Sequence, residues 1–464
     1  MKKNEFNIEI IKKLCNGIVK SVGNNQIITR FCNDTRELQK GDMFISIKPE
    51  TGDGTKYIVE SFEKGASGCI TEYNLPDDII EKYKDKIIIE VEDAIKAVQE
   101  LAIYKRELYN IPVIGITGSV GKTTTKEMIW AVLSQKYNTA KPQNSYNNAI
   151  GVPLTILDWD DEVEVAIVEM GMNHLGEISE LTHIAKPTIA VITNVGTAHI
   201  GILGSRENIL KAKLEILEGL VNNGKIIINN DNDMLHNAKI NNFDKITFGI
   251  ENDSKYMAKN IKYNEKNTEY EIILKDKTYK IIVPGTGSHC VLNSLCAITV
   301  GDLLSVEMEK TIKAISEFQN IGKRSEITKI NNLTIINDYF NANHDSMKAG
   351  LETLNKIGAK RRVAILGDML ELGEYSEELH RKVGKEVVKN NIDILITVGN
   401  LSKFIAEEAK KMGLKNAYSF DNNSECIANL NKIIKPNDTI LIKASKCMWF
   451  GEIAKSIEGG NFNE

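Results

Sequence analysis

The sequence predicts an α/β protein with three domains. We expect a small α/β domain at residues 1–108, a central domain built on a parallel sheet at 109–318, and a doubly wound C-terminal domain at 319–464. The length of 464 residues suits about three domains. Strand and helix patterns alternate after Val113, which is typical of a parallel sheet covered by helices. The alternation restarts after Gly322.

The first segment mixes short apolar runs with turn clusters. It ends in the strand pattern IIIEV (87–91) and the helical pattern DAIKAVQELAIYKREL (93–108). Asn110, Ile111 and Pro112 follow, and the residue before a proline is biased away from the helical region. We therefore expect the first domain to end there.

The central segment predicts strands at VIGIT, VAIVEM, TIAVITNV and KIIIN. Helices are expected from Lys122, over ISELTHIA, and at 208–220. An alternating meander at 254–283 predicts antiparallel strands added to the sheet. Further helices reach Phe318, and after Gly322 the strand patterns LTIIND, RVAILGDM, DILITVGN and TILIKAS, each followed by a helix, predict the second doubly wound domain.

The composition excludes several classes of function. The chain has 58 basic and 63 acidic residues and a net charge of -5, which gives no electrostatic footprint for nucleic acid or anionic lipid. Seven cysteines lack the paired spacing of zinc or redox sites. No stretch of about 18 apolar residues occurs, and no apolar run follows the basic N-terminus. We expect a cytoplasmic monomer without an export signal or a membrane span.

The stretch GITGSVGKTTTKEM (115–128) predicts a phosphate-binding loop between a strand and a helix. Ile116 stands where the common motif has its first glycine, so the loop is shorter: Gly118, Ser119, Val120, Gly121, Lys122, Thr123 and Thr124. Glycines let backbone N–H groups turn toward phosphate oxygens at the positive end of the helix. Lys122 would reach the β- and γ-phosphates, and Thr123 would bind Mg²⁺. A tight turn with an incidental lysine is the less favoured alternative.

Two later strand patterns end in candidate metal ligands. Glu169 ends VAIVEM and His199 follows TIAVITNV, and open α/β sheets bind ligands at the carboxyl ends of their strands. A lone histidine is more often a surface or core residue than a ligand. However, His199 follows the end of a strand pattern, beside the candidate metal acid Glu169, and we therefore favour a metal ligand there. Two cation sites would suit a reaction that neutralises a triphosphate and then a second anion.

Eight segments occur in the order found in the Mur ligases, and the sequence resembles that family over nearly its whole length. They are GITGSVGKTTTKEM, NSYNNAIGVPLTIL, VEMGMNHLGEI, TNVGTAHI, KAKLEI, GSHCVLN, NDYFNANHDSM and LGDMLELGEYSEELH. The last two resemble the branch that joins D-alanyl-D-alanine to UDP-N-acetylmuramoyl-tripeptide. The resemblance implies a cytoplasmic ligase of peptidoglycan precursor synthesis that uses ATP and Mg²⁺, with UDP-substrate, central ATPase and Rossmann-like C-terminal domains. Such enzymes phosphorylate a carboxylate, and an amine then attacks the acyl phosphate.

The resemblance also implies roles for single residues. Lys122 and Thr123 match the ATP loop, while Glu169 and His199 match two magnesium sites. Lys213 matches a lysine that is carbamylated in the family and so becomes a carboxylate-like ligand for the second Mg²⁺. From the sequence alone, Lys213 would be a solvated helix lysine.

Other matched positions surround the substrates. Arg324 matches an arginine at the domain junction that reaches the γ-phosphate, and an interdomain salt bridge is the alternative. The resemblance thus makes Lys122, His199, Lys213 and Arg324 the catalytic candidates. The asparagine loop near the phosphates and sugar is matched by Asn144, Asn147 and Asn148. The nucleotide contacts are matched by His289, Asn293, Asp338 and Asn341.

The substrate-facing segments depart from the family pattern. The tyrosine and proline of its YNANP run are Phe340 and His344 here, Thr55 replaces a histidine, and KAS at 443–445 replaces KGS. A paralogous Mur-type ligase that joins a different carboxylate and amine is therefore a second hypothesis. A P-loop switch or a nonenzymatic binding module is a third.

The KAS segment follows the strand pattern TILIK. Lys443 and Ser445 should therefore lie at the carboxyl end of a parallel strand, facing the interdomain crevice. The dipeptide acceptor carries a free carboxylate, and a buried carboxylate is costly unless it is paired. We expect these two residues to hold the D-alanyl-D-alanine end, with Lys443 the more important. A strand-end lysine in solvent is the alternative.

Overall fold

The computed structural model describes residues 2–25, 27–48, 53–143, 145–319 and 324–460. Asn144 is the candidate site residue that lies outside these ranges. Within them, the strands form three large sheets and one two-stranded pair. No helix in the described part of the chain is both long enough and apolar enough to cross a membrane.

The first large sheet lies in the N-terminal part of the chain. The elements there are β1 (Phe6–Asn7), α1 (Ile8–Cys15), β2 (Ile18–Val22), β3 (Ile27–Ile28), β4 (Phe31–Cys32), β5 (Met43–Ser46), α2 (Thr55–Glu63), β6 (Gly68–Thr71), α3 (Asp77–Lys82), β7 (Ile87–Glu90) and α4 (Ala94–Glu107). The strand order is β2-β7-β6-β5-β4, and β1 pairs with β3 outside this sheet. Strands β4 to β7 are parallel, and β2 is an antiparallel edge.

The second sheet is the largest and holds the predicted phosphate loop. Its elements are β8 (Val113–Thr117), α5 (Lys122–Leu133), β9 (Thr139–Ala140), α6 (Gly151–Leu157), β10 (Val165–Glu169), α7 (Glu177–Ala185), β11 (Ile189–Ile192), α8 (Ile200–Leu203), α9 (Arg206–Leu214), β12 (Lys225–Asn229), α10 (Asp233–His236), β13 (Asp244–Gly249), β14 (Tyr256–Tyr263), β15 (Asn267–Leu274), β16 (Lys277–Pro284), α11 (Ser288–Leu303) and α12 (Met308–Ser316). The order is β16-β15-β14-β13-β12-β11-β8-β10-β9. Strands β14 to β16 form the predicted antiparallel meander.

The position of β8 in this order favours a ligand site at its end. Strand β8 pairs in parallel with β10 on one side and with β11 on the other. The chain therefore leaves β8 in one direction and later returns in the other. In open α/β sheets, ligands bind outside the carboxyl ends of the strands at such a switch point.

One predicted helix ends early. The helix expected at 208–220 is the α-helix α9, which ends at Leu214, followed by a 3₁₀ turn at Glu215–Leu217. The Glu215 carboxylate accepts hydrogen bonds from the backbone N–H groups of Gly176 (2.8 Å) and Ser179 (3.2 Å). These bonds tie the residue to the start of α7, a tertiary contact that the local pattern does not contain.

The third sheet lies in the C-terminal part of the chain. Its elements are β17 (Glu326–Ile330), β18 (Leu333–Asn337), α13 (His344–Lys356), β19 (Arg361–Gly367), α14 (Ser376–Lys389), β20 (Ile394–Val398), α15 (Lys403–Lys411), β21 (Ala417–Phe420), α16 (Asn423–Ile433), β22 (Asp438–Lys443) and α17 (Gly451–Gly459), with 3₁₀ turns at Gly373–Tyr375 and Lys446–Met448. The order is β17-β18-β22-β19-β20-β21, parallel except for β17. The four predicted strands are confirmed, whereas β17 and β21 were not predicted.

Neighbouring residues of β15 test how the meander is packed. Ile272 is fully buried in the core between the sheet and α11, whereas Ile273 on the opposite face is 51% exposed. We expect Ile272→Ala to lower the free energy of unfolding by about 2–5 kcal/mol, because it leaves a cavity. Ile273→Ala should change it by less than about 0.5 kcal/mol. Urea unfolding of both variants measures the difference, and equal losses would contradict the packing.

Candidate active site

A cavity of about 470 Å³ lies between the second and third sheets. The carboxyl ends of β8, β10 and β11, together with the starts of α5, α11 and α13, contribute to its walls. Most predicted site residues line it: Ser119, Val120, Gly121, Lys122, Thr123, Thr124, Asn147, Asn148, Glu169, His199, His289, Asn293, Arg324, Asp338, Asn341 and Lys443. Gly118, Lys213 and Ser445 are not among the lining residues.

The phosphate loop (residues 118–124) turns sharply between β8 and α5. Gly118 has a φ of 148°, and a Cβ atom there would lie 1.9 Å from Oγ1 of Thr193. Gly121, at the N-terminus of α5, has a φ of 85°. Side chains at both positions would be strained, so the loop requires its two glycines. The loop leads directly into the N-terminus of a twelve-residue helix, a favourable place for a phosphate group.

The segment after β11 braces this loop, and we call residues 193–199 the support loop. The backbone N–H of Val120 donates to Oδ1 of Asn194 (2.8 Å), and that of Ser119 donates to the carbonyl of Asn194 (3.1 Å). The Thr193 hydroxyl donates to the carbonyl of Val120 (2.6 Å). Sequence reasoning did not select Thr193 or Asn194 as site residues, although TNVGTAHI was among the segments that carried the resemblance.

Lys122 lies at the start of α5 and is half-buried. Its Nζ donates to the carbonyl oxygen of Gly118 at 2.7 Å. Burial lowers the pKa of Lys122, the Glu169 carboxylate opposes this shift, and the Arg324 cation adds to it. The charges of Lys122 and Arg324 therefore repel each other within the cavity, and an anionic ligand would relieve this repulsion.

Glu169 is the buried acid of the site, with only 1% of its surface exposed. The Thr123 hydroxyl lies 3.2 and 3.3 Å from its two carboxylate oxygens, and Nδ2 of Asn147 donates to Oε1 at 2.9 Å. The ammonium of Lys126, a fully buried residue of α5, lies 3.5 Å from Oε2. Sequence reasoning missed Lys126, although it is one helical turn beyond Lys122 and can share its face of the helix.

His199 lies at the end of the support loop, where its backbone φ is 62°. Its Nδ1 is 2.8 Å from Oε2 of Glu371, but in an orientation that does not make a hydrogen bond. Burial lowers the pKa of His199, although the nearby Glu371 carboxylate opposes the shift. The neutral imidazole is the form that can bind a metal ion.

Lys213 is buried, and the expectation of a solvated helix lysine is wrong. Only 1% of its surface is exposed, because α9 turns Ile209, Ala212 and Lys213 toward the interior. Burial, helped by the charge of Lys122, lowers the pKa of Lys213 well below its ordinary value. Its amine is therefore more readily neutral, and more nucleophilic, than that of an exposed lysine.

Arg324 enters the cavity from the segment before β17. Its Cζ lies 3.8 Å from the centre of the Phe340 ring, a cation–π contact. Burial lowers the pKa of Arg324, while the carboxylates of Glu169 and Asp338 act in the opposite direction. Within the described ranges it has no ion pair shorter than 4 Å, so the alternative of an interdomain salt bridge is not observed there.

Lys443 is at the end of β22, as predicted, but it is only 2% exposed, so the alternative of a solvated lysine is wrong. Its Nζ donates to Oδ2 of Asp338 at 2.6 Å. The Ser445 hydroxyl accepts a hydrogen bond from the backbone N–H of Leu370 (3.0 Å), so it is used within the third sheet's loops. The proposed contact of Lys443 and Ser445 with a dipeptide stays a prediction.

Four other predicted residues make local contacts in the cavity wall. Oδ1 of Asn148 accepts from the N–H of Gly151 at 2.8 Å, and Oδ1 of Asn341 accepts from the N–H of Ala342 at 2.9 Å. Oδ1 of Asn293 accepts from the Thr125 hydroxyl at 3.2 Å. His289 Nε2 lies 3.3 Å from Sγ of Cys290, and burial lowers the pKa of His289.

Contacts between the second and third sheets' segments surround the cavity. The Asp345 carboxylate accepts hydrogen bonds from the backbone N–H (3.0 Å) and the hydroxyl (3.3 Å) of Thr197 in the support loop. The Thr353 hydroxyl donates to the carbonyl of Thr286 at 2.9 Å. The cavity therefore has walls from both parts of the chain, held together by direct hydrogen bonds.

Comparisons with known proteins agree with this arrangement. Residues 116–301 match the family model of the Mur ligase middle domain, and residues 323–446 match that of the Mur ligase glutamate ligase domain. The chain is 36% identical to the UDP-N-acetylmuramoyl-tripeptide–D-alanyl-D-alanine ligase of Bacillus subtilis, over 93% of each sequence. It is 30% identical to the ligase of the same name from Escherichia coli, over 92% of each sequence.

Solved structures show the same fold. A crystal structure of MurF from Acinetobacter baumannii superimposes with a TM-score of 0.87 and 27% identity, covering 98% of this chain and 99% of that one. The MurF ligase of Thermotoga maritima in complex with ADP gives a TM-score of 0.80 and 26% identity, covering 92% and 97%. Because two family models and a 36% identical full-length relative match it, the chain belongs to the Mur ligase family.

Proposed function

We propose that this protein is an ATP-dependent ligase that joins the carboxylate of UDP-N-acetylmuramoyl-tripeptide to the amine of D-alanyl-D-alanine. The observation that carries the proposal is the shared cavity, in which the phosphate loop and Lys122 lie with the buried acid Glu169 and with Arg324. The relative from Bacillus subtilis is named for this reaction, and the neighbour from Thermotoga maritima was solved with ADP. The product would be a precursor of peptidoglycan.

The chemistry explains why cations gather in the cavity. A carboxylate is a poor acyl donor until the γ-phosphoryl group of ATP is transferred to it, which makes phosphate the leaving group. Phosphoryl transfer needs mainly positioning and charge neutralisation. In the proposed enzyme, Lys122 and Arg324 hold the transferred group from two parts of the chain, and the N-terminus of α5 binds the other phosphates.

Water must be excluded once the acyl phosphate has formed, because it would otherwise be hydrolysed. The contacts of Asp345 with Thr197 and of Thr353 with Thr286 hold the third sheet's helix α13 against the second sheet's segment. This closed arrangement suits a protected intermediate. The amine then attacks the acyl carbon, the bond from carbon to the phosphate oxygen breaks, and the amine loses a proton.

A magnesium ion fits the residues at the end of β10. Glu169 and Thr123 offer oxygen ligands within 3.3 Å of each other, and Nδ1 of His199 has no hydrogen-bond partner within the described ranges. No cluster of three or more His, Cys, Asp or Glu residues suited to a metal was found among the described residues. Mg²⁺ typically uses one or two carboxylates together with water and phosphate oxygens, so a sparse set is sufficient. When bound, Mg²⁺ would neutralise charge on the transferring phosphoryl group.

Lys213 is the candidate for carbamylation. The amine nitrogen would attack the carbon of CO₂ and lose a proton, which turns a buried base into a carboxylate-like anion. Full burial and a lowered pKa both favour the neutral amine that this step needs. The anion could then complete a second magnesium site with His199, whose pKa is sensitive to the charge of Lys213.

The domain roles follow the same proposal. Residues 1–108 would bind the UDP-linked substrate, residues 109–318 would bind ATP, and residues 319–464 would complete the nucleotide site and receive the dipeptide. On the nucleotide we place His289, Asn293, Asp338 and Asn341, and near the phosphates and the sugar we place Asn144, Asn147 and Asn148. A cytoplasmic location and a monomeric state stay predictions.

Phosphate release with purified protein tests the proposed function. We expect release from ATP only when UDP-N-acetylmuramoyl-tripeptide and D-alanyl-D-alanine are both present, because phosphate leaves when the amine attacks. A ligase that ignored this dipeptide but accepted another amine would point to the paralogous enzyme, which the departures at Phe340 and His344 keep as the second candidate. Release that needed neither substrate would contradict a ligase.

Lys122→Ala tests the phosphate loop. We expect turnover to fall by at least about 100-fold, because a preorganised charge on the transferring group is lost. The fold should be retained, since Lys122 is half-buried at a loop and its loss leaves no core cavity. Steady-state kinetics at saturating ATP, with circular dichroism as the folding check, measure this. Lys411→Ala, at an exposed lysine of α15, is the control, and equal activity of the two variants would refute the role.

A matched pair on α9 tests carbamylation. We expect Lys213→Ala to be nearly inactive and to regain part of its activity in acetate or formate, because a small carboxylate can replace the lost metal ligand. Lys211→Ala, two residues away and exposed, should keep activity and show no response to these anions. Full activity of unrescued Lys213→Ala would remove Lys213 from the mechanism.

A further inference from the structure

The ammonium group of Lys443 already has as many acceptors as it has protons to donate. Nζ donates to Oδ2 of Asp338 at 2.6 Å, to the carbonyl of Asn341 at 3.0 Å and to the carbonyl of Asp338 at 3.2 Å. A lysine has three N–H donors, so none is left for the carboxylate of a substrate. With 2% of its surface exposed, the group also has almost no contact with water.

Asp338 links Lys443 to the segment that precedes β17. Its Oδ2 accepts from Lys443, while its Oδ1 accepts from the backbone N–H of Ser325 at 3.1 Å. Its own N–H donates to the carbonyl of Ile442 on β22 at 3.0 Å. The residue that follows Arg324 in the chain is therefore tied to the end of the third sheet.

Phe340 supplies the second support for Arg324. It lies between the two residues whose carbonyls accept from Lys443, so the ammonium holds the backbone on both sides of the aromatic residue. The ring stacks on the guanidinium, with 3.8 Å from Cζ to the ring centre. Among the residues that the structure describes, Arg324 has no ion pair, and the ring and the Ser325 hydrogen bond are two contacts that help to set its position.

We infer that Lys443 is a positioning residue for Arg324, which it holds in the cavity through Asp338, Ser325 and Phe340. This role differs from the predicted contact of Lys443 with the dipeptide carboxylate, and the two are separated by the experiments below. The inference rests on the proposed function for its kinetic readout. Without the cation, Asp338 would be a largely buried carboxylate without its ion-pair partner, which is costly enough to move the loop.

Lys443→Met tests the inference in the full-length enzyme. We expect kcat to fall by about 10- to 100-fold, because small misplacements of a catalytic group are expensive. The KM for D-alanyl-D-alanine should change by less than about twofold, since no dipeptide contact is lost. Lys105→Met is the matched control: Lys105 is also fully buried, donates to the carbonyl of Leu157 at 2.7 Å, and lies away from the cavity lining. It should keep its turnover.

A double-mutant cycle separates positioning from general damage. In an Arg324→Met background, Lys443→Met should cost little more, because residues that act as a unit are not additive. Fully additive losses would overturn the inference. A raised KM for the dipeptide with unchanged kcat would overturn it too and restore the dipeptide role. If Lys443→Met does not fold, Lys443→Gln, whose amide can still donate to a carbonyl, is measured in the same way.

Calorimetry distinguishes this inference from the proposed function. If the wild-type protein releases no phosphate with D-alanyl-D-alanine, the proposed ligase function is refuted. The positioning of Arg324 by Lys443 can still be tested. In that case the affinities for ADP and for a nonhydrolysable ATP analogue are compared. Lys443→Met should lose the extra affinity for the γ-phosphate that Arg324 provides, and Lys105→Met should keep it. An unchanged preference for the analogue in Lys443→Met would overturn the positioning role.

Discussion

The site depends on the hydrogen bonds that the support loop makes. Its Thr193 and Asn194 bind the backbone of the phosphate loop, its Thr197 binds Asp345 from the third sheet's segment, and its last residue is His199. Because β8 and β11 are parallel neighbours, their loops leave the sheet side by side at the same edge, which allows these contacts. The close approach at Gly118 leaves no room for another residue at the turn.

Three cations and three carboxylates line the cavity: Lys122, Arg324 and Lys443, and Glu169, Glu177 and Asp338. Lys443 is paired with Asp338, whereas Lys122 and Arg324 have no ion pair shorter than 4 Å among the described residues, and Glu169 is a deeply buried acid of the lining. Buried charges are costly unless they are paired. A bound triphosphate would offset the cost of burying Lys122 and Arg324. Burial is the main cause of the lowered pKa values of Lys122 and Lys213, and neighbouring cations add to it.

The sequence predicted those features that depend on local chemistry. The buried strands β8, β10 and β11 are continuous apolar runs because helices cover both faces of the parallel sheet, and the glycines of the phosphate loop follow from the turn. Strands β17 and β21 were not predicted, because they are short edge strands with many half-exposed residues and lack a clear apolar pattern. The burial of Lys213 and the three acceptors of Lys443 come from packing between distant segments. A lysine's own neighbours in sequence carry no sign of such packing.

The hydrogen bonds of the support loop have a thermodynamic consequence. The support loop hydrogen-bonds both to the phosphate loop, which would bind a nucleotide, and to Asp345 of the third sheet's segment. Nucleotide binding and the closing of the two parts of the chain therefore share this loop. If nucleotide binding stabilises that loop, it must also favour the closed arrangement. Linkage then requires the converse by the same free energy: whatever closes the chain, including an acceptor substrate, tightens the hold on the nucleotide.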